Sequence, residues 1–110
     1  MNVSFNGYNE GVATFEADSS VSKGTIVTMH SSGKVKAATS EFIGVCRSVR
    51  AGYAAVQLDG YAVLPYTGTL SIGIVKLVVS SGKIKADSTN GREYLVLDVD
   101  TTAGLAGIIL

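Results

Sequence analysis

The chain predicts an all-β fold: a compact sandwich or small barrel built from two duplicated half-domains, with an N-terminal arm. Three observations predict it. No window longer than ten residues holds a 3.6-residue helical period, whereas apolar and polar residues alternate in short runs. Thirteen glycines with many Ser and Thr place turn signals every 8–12 residues. A seven-residue block is used twice, as Ser31-Ser32-Gly33-Lys34-Val35-Lys36-Ala37 and as Ser80-Ser81-Gly82-Lys83-Ile84-Lys85-Ala86. Its Ser-Ser-Gly part suits a tight turn. In its strand part, alternation sends Val35 or Ile84 to one face and the flanking lysines to the other.

Residues 1–11 read as the arm. Asn2, Asn6, Asn9, Gly7 and Gly11 surround Val3, Phe5 and Tyr8, too little apolar material for a core of its own. Val3 and Phe5 alternate with polar residues, which suits addition to a neighbouring sheet or an edge strand of the same domain.

Residues 12–110 form the single domain. Ala13, Phe15 and Ala17 share one face of a first strand, and Asp18-Ser19-Ser20 turns the chain. Ile26–Met29 leads into the first Ser-Ser-Gly hairpin and Val35. Phe42–Val49 alternates with Ile43, Val45 and Val49 on one face and Arg47 as the exception. Arg50-Ala51-Gly52 turns into Tyr53–Leu58, and Asp59-Gly60 signals a two-residue hairpin into Tyr61–Leu64. Pro65 closes that strand or lies on an edge, because it cannot donate to a ladder. Ile74–Val79, Ile84, Tyr94–Val99 and Leu105–Leu110 complete the set, with turns at Asn90-Gly91 and Ala103-Gly104. Lys34, Lys36, Lys83 and Lys85 guard edges against stray pairing.

The repeat covers approximately 21–58 and 70–110. Its halves lie 49 residues apart at the Ser-Ser-Gly-Lys block and 52 apart later, where Phe42-Ile43 meets Tyr94-Leu95 and Ala54, Val56 and Leu58 meet Ala106, Ile108 and Leu110. One half alone would leave an apolar face bare; two cover each other.

Composition narrows the function. With 46% apolar residues in 110, the chain can bury one core without staples. Nine basic residues balance nine acidic ones, which argues against nucleic acid and against a polybasic membrane anchor. No apolar run approaches the roughly 20 residues of a membrane-spanning helix. Few charges and no net charge favour self-association. Met1–Asn6 lacks the basic and apolar regions of a signal peptide, so synthesis in a reducing cytoplasm is expected.

The residues that carry chemistry do not converge on a catalytic, metal or cofactor site. His30 is the sole histidine and abuts a hairpin, a poor platform for a triad with Ser31 or Ser32 and Asp18. Cys46, the sole cysteine, reads as a small core filler rather than a nucleophile. Asp98 and Asp100, near Glu93, read as a solvated face opposite Leu95, Leu97 and Val99, or as an intersubunit ion pair with Arg47, Arg50 or Arg92. The glycines match neither phosphate-binding nor dinucleotide fingerprints. Five tyrosines (Tyr8, Tyr53, Tyr61, Tyr66 and Tyr94) suit a contact surface or half-buried positions, and Tyr61 and Tyr66 bracket Val63-Leu64-Pro65.

Phe42-Ile43-Gly44-Val45, Gly52–Tyr61, Leu64-Pro65-Tyr66-Thr67-Gly68 and Gly91–Asp100 together resemble small tailed-phage head fiber or capsid decoration proteins, over about Val12 to Leu110. The resemblance implies a β-rich module on the outside of a phage head, present in several copies, often trimers, with no enzyme activity and no cofactor. The last strand is expected to end the protein with no fibrous extension after Leu110, an expectation that favours a compact decorating or cementing role.

The expected function is therefore structural. A homo-oligomer, as a trimer, would contact the major capsid protein at the virion surface after synthesis in the bacterial cytoplasm. Val3, Phe5 and Tyr8 of the arm and Tyr61, Pro65 and Tyr66 are the expected interface residues. The alternative is a small β-sheet module that recognises host-surface carbohydrate through its tyrosines.

Overall fold

The alternation resolves into ten strands and no helix in the computed structural model, which describes residues 11–110. The strands are β1 (Val12–Glu16), β2 (Ile26–Met29), β3 (Val35–Ala37), β4 (Gly44–Arg50), β5 (Tyr53–Gln57), β6 (Tyr61–Pro65), β7 (Gly73–Ser80), β8 (Lys83–Ala86), β9 (Arg92–Asp100) and β10 (Leu105–Ile109). They form two five-stranded antiparallel sheets, β1-β5-β4-β2-β3 and β6-β10-β9-β7-β8, packed as a small sandwich.

The two sheets have the same strand order, so every strand of β1–β5 has a counterpart in β6–β10. Each sheet also curls until its outer strands meet. Ala17 bridges Val35 in the first sheet and Tyr66 bridges Ile84 in the second, at equivalent places. The correspondence thus includes β1 and β6, ahead of the segments in which the sequence reveals the repeat.

Each curled sheet has its own core. Val21, Val27, Val35, Cys46, Ala54 and Val56 fill the first, with Phe15 and Ala17 against them. The second holds Leu64, Leu77, Val79, Ile84, Val96 and Ile108, and here Ile26, Ala38, Phe42 and Val45 from the first half enter as well. Val35 and Ile84 are both fully buried, the matched core residues that the repeated block predicts.

Three local expectations are corrected. Asp59-Gly60 joins β5 to β6, which belong to different sheets, so it links the halves and makes no hairpin. β5 already pairs with β1 on one side and β4 on the other, leaving no free ladder for β6. In β4 the register shifts between Cys46 and Ser48, with Arg47 as the extra residue. This bulge inverts the faces beyond it, so Val45 and Val49 lie on opposite faces. An equivalent shift at Leu97 in β9 puts Asp98 and Asp100 on the same face as Leu95, not opposite it. The two bulges align β4 with β9 fifty positions apart rather than 52, because the turn after β9 (101–104) is two residues longer than the turn after β4 (51–52). The difference is one pleat, so face polarity survives.

Candidate functional site

Alternation along β6 sends Ala62 and Leu64 into the second core and turns Tyr61, Val63 and Pro65 outward. The register then assembles an outer face across four strands. Tyr61 lies opposite Ile109, Ile109 opposite Leu95, and Leu95 opposite Ile74. Beside this row, Val63 pairs with Gly107 and Pro65 with Leu105. Ile74 is 72% exposed, Val63 50% and Leu95 41%. Leu105 is exposed as well, so the outer face of the second sheet is apolar over much of its width.

The corresponding face of the first sheet differs. Thr14 and Glu16 of β1 lie opposite Ala55 and Tyr53, and these lie opposite Ser48 and Arg50. Thr14 and Glu16 thus stand where the second sheet has Val63 and Pro65. At these two positions the first half is polar and the second apolar, although Val12 and Tyr53 on the same face of the first sheet are exposed as well.

The apolar face has shallow relief. Ile74, Leu95, Ile109 and Leu110 line a groove of about 460 Å³ together with Arg92, Glu93 and Tyr94. The Arg92 guanidinium lies over the Tyr94 ring, 5.6 Å from its centroid. Burial pushes the Tyr94 phenol above its ordinary pKa, against the opposing effect of Arg92. Asp98 and Asp100 flank the Val63–Leu105 corner, where they face Gly107 and Leu105. The Asp100 Oδ1 accepts from the Thr102 and Ala103 amides, both at 3.0 Å, so this carboxylate caps its own turn.

The expected interface residues separate. Tyr61 and Pro65 share the apolar face. The Tyr61 ring lies over Gly107, where a side chain would collide with it. Tyr66 turns the other way. It packs against the second core, and its amide donates to the Gly104 carbonyl at 3.1 Å. Val3, Phe5 and Tyr8 lie outside the described residues. The four described tyrosines do not form a common platform: Tyr53 is on the first sheet, Tyr61 on the outer face of the second, and Tyr66 and Tyr94 point inward.

The other chemistry-bearing residues have structural partners. The His30 Nδ1 lies 2.9 Å from the Ser32 Oγ on an exposed hairpin. Cys46 is buried, which pushes its thiol pKa up and disfavours the thiolate. Hydrogen bonds hold two carboxyls below the usual range: those from Ser20 to Asp18, and those from Asn90 and Thr89 to Asp87. Among the described residues no group of three or more His, Cys, Asp or Glu could hold a metal ion, and no helix is long and apolar enough to cross a membrane.

Ile74, Val63, Leu95, Leu105 and Ile109 were not among the sequence-derived interface residues. The alternation of Tyr61, Val63 and Pro65 carried a signal for this face. Leu95 was hidden by the bulge at Leu97, which reverses the face its neighbours suggest. No known protein family, curated protein or solved structure matches the chain.

Proposed function

We propose that this protein is a structural component of a tailed-phage virion, attached to the outer surface of the capsid. The observation that carries the reading is the exposed corner of the second sheet, where Val63 and Pro65 stand in place of the first sheet's Thr14 and Glu16. Balanced charge and the likeness to head fiber and decoration proteins support it. On this reading the corner formed by Tyr61, Val63, Pro65 and Leu105 packs against the major capsid protein. A subunit that buries this corner across neighbouring capsid proteins binds only the assembled lattice and stabilises it by linkage.

The test is occupancy on purified heads, read by electron microscopy. Wild-type protein is expected at defined lattice positions, and Val63→Lys with Leu105→Lys is expected to leave those positions empty while the isolated domain keeps its melting temperature. Normal occupancy by this variant overturns the corner assignment. Absence of the wild-type protein from virions overturns the function. Deleting residues 1–10 tests the contribution of Val3, Phe5 and Tyr8. Gly11 is kept because its carbonyl accepts from the Leu58 amide at 2.8 Å.

A further inference from the structure

The apolar row on the second sheet has a counterpart in the first, and there its Val45–Ile26 end is already an interface. In the second sheet the row runs Tyr61–Ile109–Leu95–Ile74 across β6, β10, β9 and β7. In the first it runs Val12–Gln57–Val45–Ile26 across β1, β5, β4 and β2. Val45 and Ile26 are each 3% exposed because they pack into the core of the second half. Their counterparts Leu95 and Ile74 are uncovered.

The receiving surface has a counterpart too. In the second half it includes Val79 and Tyr94. The Val79 amide donates to the Ser40 carbonyl of the first half at 2.7 Å, and Tyr94 stacks on Phe42. Val79 lies opposite Ile84, and the equivalent residue of the first half, opposite Val35, is Met29. Val79 is 2% exposed and Met29 is 41% exposed. Within one chain the first half gives its row and the second receives it. The giving row of the second half is left open, and so is Met29 at the receiving end of the first, whereas the counterpart of Tyr94 there is the buried Gly44.

We infer that a second copy of this chain docks there head to tail, placing its Met29 end over the Ile74–Leu95–Ile109 row and so repeating the contact between the two halves. Such a contact is heterologous, closing into a ring or extending into a filament. It is the weaker of the two contacts. The first half also inserts Ala38 and Phe42, whereas the matching segment of the second half, between β8 and β9, is the polar Asp87-Ser88-Thr89-Asn90. Association is therefore concentration-dependent. The inference stands apart from the capsid reading, because it concerns isolated protein and the row rather than the Val63–Leu105 corner.

The test combines sedimentation with cross-linking of purified full-length chain. Wild type is expected to self-associate below about 1 mM. Ile74→Lys, at a position exposed in the single chain, is expected to raise the dissociation constant by about tenfold or more with an unchanged circular dichroism spectrum. Leu95→Cys mixed with Met29→Cys is expected to give a disulfide-linked dimer containing one of each. A wild type that stays monomeric at about 1 mM overturns the inference. So does an Ile74→Lys variant that associates normally. Cross-linking of Leu95→Cys to itself in place of Met29→Cys identifies a face-to-face dimer and also overturns it.

Discussion

Phe42 and Tyr94 stack nearly parallel across the boundary between the two halves, with ring centroids 4.7 Å apart and planes at 11°. The Tyr94 hydroxyl also donates to the Phe42 carbonyl at 3.0 Å, satisfying a buried polar atom at the same point. Phe42→Ala removes the ring that the first half inserts into the second core, and is expected to cost about 3–5 kcal/mol of unfolding free energy. Tyr94→Phe keeps the stack and loses only the hydrogen bond, for about 1–2 kcal/mol. Urea denaturation of both variants checks the ordering.

The same phenol sets an alkaline limit. Its pKa is raised in the folded state, so folding holds the proton more tightly than the unfolded chain does. This stability is fully present below the unfolded tyrosine value of about 10 and is lost as pH rises through the folded value. Melting temperatures measured from pH 8 upward should therefore fall more steeply for wild type than for Tyr94→Phe. Parallel curves would refute the assignment to Tyr94.

Gln57 ties the halves together at the other end of the boundary. Its side chain is fully buried, its Oε1 accepts from Arg47, and its Nε2 donates to the Asp59 and Tyr61 carbonyls at 3.0 and 2.8 Å. Those carbonyls belong to the linker and to the first residue of β6, so one amide fixes where the second half begins. Gln57→Leu strands both acceptors and is expected to cost about 1–3 kcal/mol. Gln57→Glu should cost more at neutral pH, because it sets a carboxylate oxygen against two carbonyls, and should recover towards acid pH as the carboxyl gains a proton to donate.

The residues at this boundary show what the sequence could and could not reveal. Val35 and Ile84 were legible as matched core positions because identical flanking residues fix their alternation. Phe15 and Ala17 were legible from the alternation along their own strand. The bulges at Arg47 and Leu97 were not, since one extra residue in a strand leaves no compositional trace yet reverses every face beyond it. That reversal hid Leu95 from the candidate face. Asp59-Gly60 has hairpin chemistry, but pairing is decided by which ladders remain free, a tertiary matter. Gln57 reads locally as an outward polar residue. Only the docking of the second half makes it a buried one.

Gly44 carries a steric requirement at the place where β4 meets β5. A Cβ built there would collide with the Gln57 carbonyl oxygen, and backbone cannot yield as a side-chain tip can. Gly44→Ala is therefore expected to destabilise by about 3 kcal/mol or more and to disturb the β4–β5 register. Amide exchange along β5 should accelerate locally. Gly107→Ala is milder, because the atoms in its way belong to the tip of the Tyr61 side chain.

The repeated Ser-Ser-Gly-Lys tetrad folds into two different turns, which gives a test of backbone cost at fixed sequence. In the second copy Ser80 pairs with Lys83, and Ser81 and Gly82 are both at positive φ, 53° and 79°, a two-residue hairpin of the type that matches strand twist. In the first copy the His30 amide donates to the Lys34 carbonyl at 2.7 Å, the loop has three residues, and only Gly33 is at positive φ. Ser81 therefore adopts a conformation costly for an L-residue, whereas its sequence counterpart Ser32 does not. Asn tolerates this conformation better than Ser, so Ser81→Asn is expected to stabilise by about 0.5–1 kcal/mol. Ala51, at φ 53° before Gly52 in the β4–β5 turn, should gain similarly on replacement by Asn. Ser32→Asn should gain nothing. Chemical denaturation of the three variants reads the difference directly, and an equal response at Ser32 and Ser81 would show that the two turns share one conformation in solution.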